Sequence, residues 1–506
     1  MSKRSGSTVK ALLLGWLYVT FCCAMADPPD RAALEDRSLT LEAGGSYRFE
    51  RGLLSVPENR QVQRSRRFDL EFHRLPKSGH DGTNVPAIFI LKGGPGYDSL
   101  EEDLAKPGYY EYFFERFTAL ADVVIVGQRG FGGNNALPCP PLRAATLADV
   151  DRAEERHARL REGMARCRAL HEGNGADLSG YTIMEMAQDV VEIAAALGYE
   201  EIQLVGNSFG SHWGMAVIRS APDLISRATF SALEGPDHTF DNPLELESSL
   251  RRIARAAQED PALTSAIGDR DLLGEFGAMI KRADEEPIEV SFDLDDEGTR
   301  ATVLLDGDAL RQLSRGFSRG TTWRFHMPIW PSDMLTMLDG DLEAGARRVA
   351  RWWLNDDMDV AAYYSVECAS GASAERRKRL EADARTSLMS LHELVAGDLC
   401  AGWPADLGQA FRAGFVADVP ALLIQGDWDT SLPMANVPVV REILPNHHVI
   451  TVHGGSHGAL REAEEAFPEF RAAILDWIDS GSTDRLPESV TLPPIEWILP
   501  EAPATR

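Results

Sequence analysis

The stretch Gly206-Asn207-Ser208-Phe209-Gly210 constrains this 506-residue chain more than any other. It follows the short apolar run Ile202 to Val205, which suits a buried strand, and precedes Ser211 to Ser220, whose pattern suits a helix ending before Pro222. A serine held on so tight a strand-to-helix turn is forced to positive φ. Small residues are needed two places before and after it, because neighbouring backbones come too close for side chains. The stretch therefore predicts a parallel strand, a strained turn presenting Ser208, and a crossover helix.

A five-residue pattern of this kind arises by chance roughly 0.2 times in a chain of this size and composition, and this chain holds two. The second is Gly454-Gly455-Ser456-His457-Gly458. Chain order separates them: on this architecture an acid and then a histidine follow the serine. No histidine lies beyond His457, so Ser208 can be followed by both partners and Ser456 cannot.

Short apolar runs at Phe68–Phe72, Ala87–Leu91, Val123–Val126, Ile202–Val205, Ala228–Leu233, Ala421–Ile424 and Val449–Val452 are separated by helical patterns, the signature of a mostly parallel α/β sheet. One crossover is sharply marked: Thr182-Ile183-Met184-Glu185 reads as a capping box opening a helix that runs to Leu197 and stops at Gly198. Between 237 and 415 the pattern changes to Trp- and Arg-rich helical stretches with a hairpin at Glu289–Asp306, turning near Asp295–Gly298. Because core-type strand signals resume at Ala421, this segment is expected to be a mainly helical cap inserted between core strands, not an independent domain. The core then comprises 27–236 and 416–480. The Pro-rich tail 481–506 is expected to wrap the surface.

A serine hydroxyl needs an imidazole to take its proton and a carboxylate to fix the imidazole's tautomer. Gly426-Asp427-Trp428-Asp429 and His453-Gly454-Gly455-Ser456-His457-Gly458 each follow a predicted strand, at the carboxyl edge where open α/β sheets place their sites. His457 on the glycine-rich loop is better placed than His453 at the strand end. Structural hydrogen bonding is expected of His447, His448 and His453. Strand-end geometry leaves Asp427 and Asp429 both open. An oxyanion hole needs two backbone N–H groups; Phe209 should supply one and Gly94, within Lys92-Gly93-Gly94-Pro95-Gly96, the other.

These residues resemble the prolyl iminopeptidase and tripeptidyl aminopeptidase group of α/β-hydrolase serine peptidases, over most of the mature chain. The matching motifs are Gly93 to Gly96, Gln128-Arg129-Gly130, Gly206 to Gly210, Gly426 to Asp429 followed by Pro433, and His457-Gly458. The resemblance implies an α/β-hydrolase fold with a cap, selects Asp429 as the acid beside Ser208 and His457, and supports a disulfide between Cys368 and Cys400. Lys92, Gly127 and Leu432 depart from the family's histidine, aspartate and threonine at those places. An enzyme of this type removes residues from a free peptide N-terminus, with carboxylates to bind the ammonium. Glu367 and Glu234 are candidates, although a surface or capping role is the expectation for each. The alternatives are a carboxylesterase or lactonase using the same triad, and a non-enzymatic secreted binding protein, against which the complete triad argues. Serine at the elbow disfavours an aspartate-nucleophile dehalogenase or epoxide hydrolase.

Lys3, Arg4 and Lys10 precede the apolar run Ala11–Ala24, and Ala24-Met25-Ala26 is a small-x-small cleavage site, so residues 1–26 read as a secretory signal peptide cleaved after Ala26. The run is shorter than the roughly 20 residues a spanning helix needs. The mature protein is therefore expected to be secreted or periplasmic, without stable membrane insertion. The formal charge is −27, and losing three basic and no acidic residues makes it −30, a surface unsuited to nucleic acid. Cys139, Cys167, Cys368 and Cys400 remain, which favours two disulfides in an oxidising compartment. Three pairings are possible, and sequence neighbours are the expected ones: Cys139 with Cys167 would pin a Pro-rich loop to a helix. No Cys/His spacing suggests a metal site, and no organic cofactor is implied. The expected partner is a peptide or small acyl substrate.

Overall fold

The structure, a computed structural model, describes residues 32–40, 46–78, 85–96, 100, 114–142, 153–293, 300–315, 321–353 and 360–499. The expected signal segment and the turn at 295–298 lie outside them. Described strands are β1 (Ala33–Thr40), β2 (Ser46–Pro57), β3 (Arg67–Leu75), β4 (Ala87–Leu91), β5 (Val123–Val126), β6 (Ile202–Asn207), β7 (Ile225–Ser231), β8 (Ile288–Asp293), β9 (Arg300–Leu305), β10 (Ala421–Gly426), β11 (His447–His453) and β12 (Ser489–Thr491). One sheet has the order β1-β2-β3-β5-β4-β6-β7-β10-β11-β12. Pairing is antiparallel from β1 to β5 and parallel from β5 through β12.

The central strands are continuously apolar because both faces of the sheet are covered. Along β4, Ala87, Phe89 and Leu91 enter one core while Ile88 and Ile90 enter the other. β10 divides likewise, Ala421 and Leu423 against Leu422 and Ile424. A one-residue slip in either strand would exchange the two sets, so the register is strongly fixed.

Three crossover helices matter for the site: α1 (Ala153–Gly173), α2 (Ile183–Leu197) and α3 (Phe209–Ser220). α2 starts and stops where its sequence predicts. The Thr182 hydroxyl accepts from the Glu185 N–H, and Gly198 closes the helix at φ 80°. Glu185 itself is diverted from the capping box, its carboxylate taking the Arg60 N–H (3.0 Å) and guanidinium (2.6 Å).

β7 and β10 are neighbours in the sheet, so the chain from Ala232 to Pro420 leaves and re-enters between adjacent strands. Within it lie α4 (Pro243–Glu259), α5 (Ala361–Ser370) and the antiparallel β8–β9 hairpin. This segment builds an apolar core of its own: Leu246, Leu250 and Ile253 of α4 pack with Phe276, Leu305 and Trp330.

Both disulfides join sequence neighbours. Cys139 bonds Cys167 of α1, and Cys368 of α5 bonds Cys400. No helix among the described residues is long and apolar enough to cross a membrane. The disulfides fit an extracellular, oxidising setting.

The described part of the tail, 481–499, runs over the surface, most of its residues exposed or half-buried. It adds β12 to the sheet edge beside β11 and buries Leu492 in the sheet core and Ile495 in the core of the inserted segment. The Ile498 N–H donates to the Pro328 carbonyl at 2.9 Å. The tail is therefore a surface strap anchored in two cores.

Candidate active site

Ser208 stands between β6 and α3 at φ 60°, ψ −132°, a conformation that costs an L-residue energy and persists only where its surroundings impose it. They do. A Cβ on Gly206 would lie 2.3 Å from the Gly210 carbonyl oxygen, and one on Gly210 would lie 2.1 Å from that of Leu91. The Ser208 N–H donates to the Ser231 carbonyl at 3.0 Å, which ties the turn to β7. The Gly93 loop lies directly opposite: a Cβ on Gly93 would be 3.9 Å from the Ser208 Oγ.

At the carboxyl ends of β10 and β11 the structure separates the rival aspartates. Asp429 is fully buried and faces the His457 ring, with Nδ1 2.9 Å from Oδ2 and 3.1 Å from Oδ1. Its Oδ1 also accepts from the Ser431 and Leu432 N–H groups at 2.8 and 2.9 Å. Asp427 turns to the other side and accepts from the Gly454 N–H (2.8 Å) and meets His453 Nδ1 (3.0 Å). Asp427 and His453 thus form a strut under the loop that carries His457. His447 and His448 hydrogen-bond backbone carbonyls of Leu444 and Pro487.

The second Gly-x-Ser-x-Gly serine is fully buried and committed elsewhere. Ser456 Oγ donates to the Glu462 carboxylate of α6 (Ala459–Ala466) and accepts from the Arg324 N–H at 3.0 Å. His457 is held from the same side: its N–H donates to the Thr322 carbonyl at 3.1 Å, and the Trp323 ring meets its imidazole edge-on at 5.1 Å. Thr321 reaches Thr430, next to Asp429, at 3.0 Å. A short segment of the insertion therefore braces both the loop that carries Asp429 and the loop that carries His457.

Sequence reasoning placed Glu234 and Glu367 at the surface or in caps, and the structure corrects this. They are only 6% and 5% exposed, and Asp241 beside them 6%. Glu234 lies on the loop leaving β7. Its N–H donates to Ser211 Oγ (3.0 Å), and its carboxylate meets His212 Nδ1 (2.9 Å), one turn along α3 from Ser208. The carboxylate of Glu367, on α5, makes no hydrogen bond or ion pair with any described residue. Burial, then the negative charges of Glu234 and Asp241, push its carboxyl well above the ordinary glutamate range. Nothing in the spacing of these three residues marks them as a cluster. The only signal was the resemblance, which calls for carboxylates without saying which.

The arrangement is a serine on a positive-φ turn at the carboxyl edge of a parallel sheet, with a carboxylate–imidazole pair on the two strand-end loops beyond. It defines the hydrolase class built on this sheet. The chain belongs to the alpha/beta hydrolase fold family, whose family model matches residues 86–463. No curated protein matches it. Among solved structures it is similar to a serine hydrolase from the polyaromatic hydrocarbon-degrading bacterium Cycloclasticus zankles (12% identity, 85% of this chain and 99% of that one, TM-score 0.35). It is also similar to epoxide hydrolases from hot-environment metagenomes (14%, 89% and 100%, 0.35) and from Bacillus megaterium (13%, 82% and 98%, 0.33). Likenesses this low carry no argument about the reaction.

Proposed function

We propose that this hydrolase is a secreted serine aminopeptidase that cleaves peptides from a free N-terminus through an acyl-enzyme on Ser208. His457 takes the Ser208 proton as Oγ attacks the scissile carbonyl, and Asp429 holds the imidazole in the tautomer that presents Nε2. The carbonyl oxygen, now negative, is received by the N–H groups of Phe209 and Gly94. Collapse breaks the C–N bond and the imidazolium returns its proton to the leaving amine. Water, activated by the same imidazole, then releases the acyl group.

Acyl transfer of this kind serves esters as well as amides, so the choice of substrate rests on one observation: the Glu367 carboxylate, buried without a partner beside Glu234 and Asp241. Asp241 has the Arg376 guanidinium near it and Glu234 the His212 imidazole, whereas a carboxylate formed at Glu367 has no cation among the described residues and is costly without one. A peptide's terminal ammonium is such a cation, and Glu234 meets His212, which lies one turn along α3 from the serine. The insertion, taken as a cap over 237–415, supplies Glu367 and Asp241 to this cluster.

The test is a panel of free and N-acetylated peptidyl anilides beside simple aryl esters. Turnover of free peptides that disappears on acetylation is the expected result. Ester turnover alone, or equal turnover of acetylated peptides, contradicts the aminopeptidase and leaves a carboxylesterase or lactonase.

A further inference from the structure

Gln128 follows β5 and is completely buried, yet it belongs to none of the groups that handle the proton. Its side chain is spent entirely on one loop. Nε2 donates to the carbonyls of Lys92 (3.2 Å) and Gly93 (3.0 Å), while Oε1 accepts from the Gly96 N–H (2.8 Å). Both amide hydrogens and the amide oxygen are thus engaged, on residues that bracket Gly94. The amide can stand only one way round. Flipped, it would set its NH2 against the Gly96 N–H and its oxygen against two carbonyls.

Gln128 is itself immobilised by its neighbour. The fully buried Arg129 grips Asp189 of α2 through Nε (2.7 Å) and Nη2 (2.5 Å), and gives Nη1 to the carbonyls of Glu58 (2.8 Å) and Gly180 (2.7 Å). A buried charge with this many partners is costly to displace. The rigid frame of the molecule is thereby connected, through one amide, to a glycine loop that has little stiffness of its own.

We infer that Gln128 is a positioning residue that sets the Gly94 N–H at the distance the developing oxyanion requires. The inference rests on the proposed reading of Gly94 as an oxyanion donor to a substrate acylating Ser208. The donor must meet charge that exists only in the transition state, so its displacement lowers kcat and leaves ground-state binding nearly untouched. Misplacement of about 1 Å costs about 10²-fold.

The experiment measures kcat and KM of Gln128→Met on an activated aryl ester, beside the wild type and Ser208→Ala, with thermal unfolding of each. Gln128→Met keeps the side-chain volume and removes all three hydrogen bonds. The expected result is a kcat lower by about 10²-fold with KM within about threefold of wild type, in a protein that still unfolds cooperatively. Should this variant fail to fold, Gln128→Glu, which keeps the volume and the acceptor facing Gly96, carries the same comparison. Unchanged kcat, or a rise in KM alone, overturns the inference while Ser208→Ala remains inactive. Activity surviving in Ser208→Ala overturns the underlying reading instead.

Discussion

Two aspartates two residues apart receive opposite assignments because one faces an imidazole and the other a backbone N–H and a strand-end histidine. Asp429→Asn is expected to lower kcat by about 10⁴-fold, since the amide offers the imidazole a donor where it needs an acceptor and inverts its tautomer. Asp427→Asn keeps an acceptor for the Gly454 N–H and should retain far more activity, a difference readable in steady-state rates of folded variants. Glu367 yields two linked expectations. A carboxyl whose folded pKa is raised binds more protons folded than unfolded between its two pKa values. Its contribution to stability is therefore present at low pH and lost as pH rises through that window. Glu367→Gln, which cannot ionise, should raise the melting temperature at neutral and alkaline pH and abolish selectivity for free over acetylated peptides while sparing aryl-ester turnover. In the wild type, peptide KM should fall as Glu367 loses its proton and climb as the substrate amine loses its own.

At the scale of elements, legibility followed the hydrophobic pattern and failed where the pattern was broken for a local reason. β4, β5 and β10 are buried on both faces and read directly as apolar runs. β2 alternates buried and exposed positions, but its charged residues and Gly52 interrupt the run. Gly52 is there because the Phe72 ring lies across it, 2.1 Å from where a Cβ would be. β1 is an exposed edge strand with no apolar signal, and the three residues of β12 are strand only through pairing with β11. β7 ends at Ser231, short of the predicted Leu233. Ala232 and Leu233 are buried without belonging to the strand, since Ala232 turns to φ 50° to start the loop that carries Glu234. Both ends of α2 were legible from Thr182 and Gly198, although Glu185 turns to Arg60 instead of closing the capping box, so Thr182→Ala is expected to cost about 1 kcal/mol in denaturant unfolding with kcat unchanged. The loops at Ser208 and His457 were found from sequence because their glycines answer to backbone contacts. The acid cluster was not, because its members come from three separate segments and share only a place in the fold.

The described residues pack an apolar core on each face of the sheet and another within the insertion. The segment Thr321–Arg324 hydrogen-bonds the acid and base loops, and Arg324 also reaches the carbonyls of Gly454 (2.5 Å) and Pro493, so insertion, core and tail meet beside His457. Loosening the insertion should therefore disturb catalysis as well as binding. The Cys368–Cys400 bond lies next to Glu367 and closes a loop with a sequence separation of 32. Cys368→Ser with Cys400→Ser is expected to lower stability by about 2–4 kcal/mol and to raise KM for free peptides more than for esters, measured by unfolding and by the same substrate panel. What unites these features is the proposed acyl transfer to Ser208, in preference to a second serine in an equally good local motif. The most direct measurement is labelling of the mature protein with a fluorophosphonate, followed by peptide mapping. The expected adduct sits on Ser208 alone and vanishes, together with turnover, in Ser208→Ala. An adduct on Ser456, or activity that survives Ser208→Ala, would contradict the account.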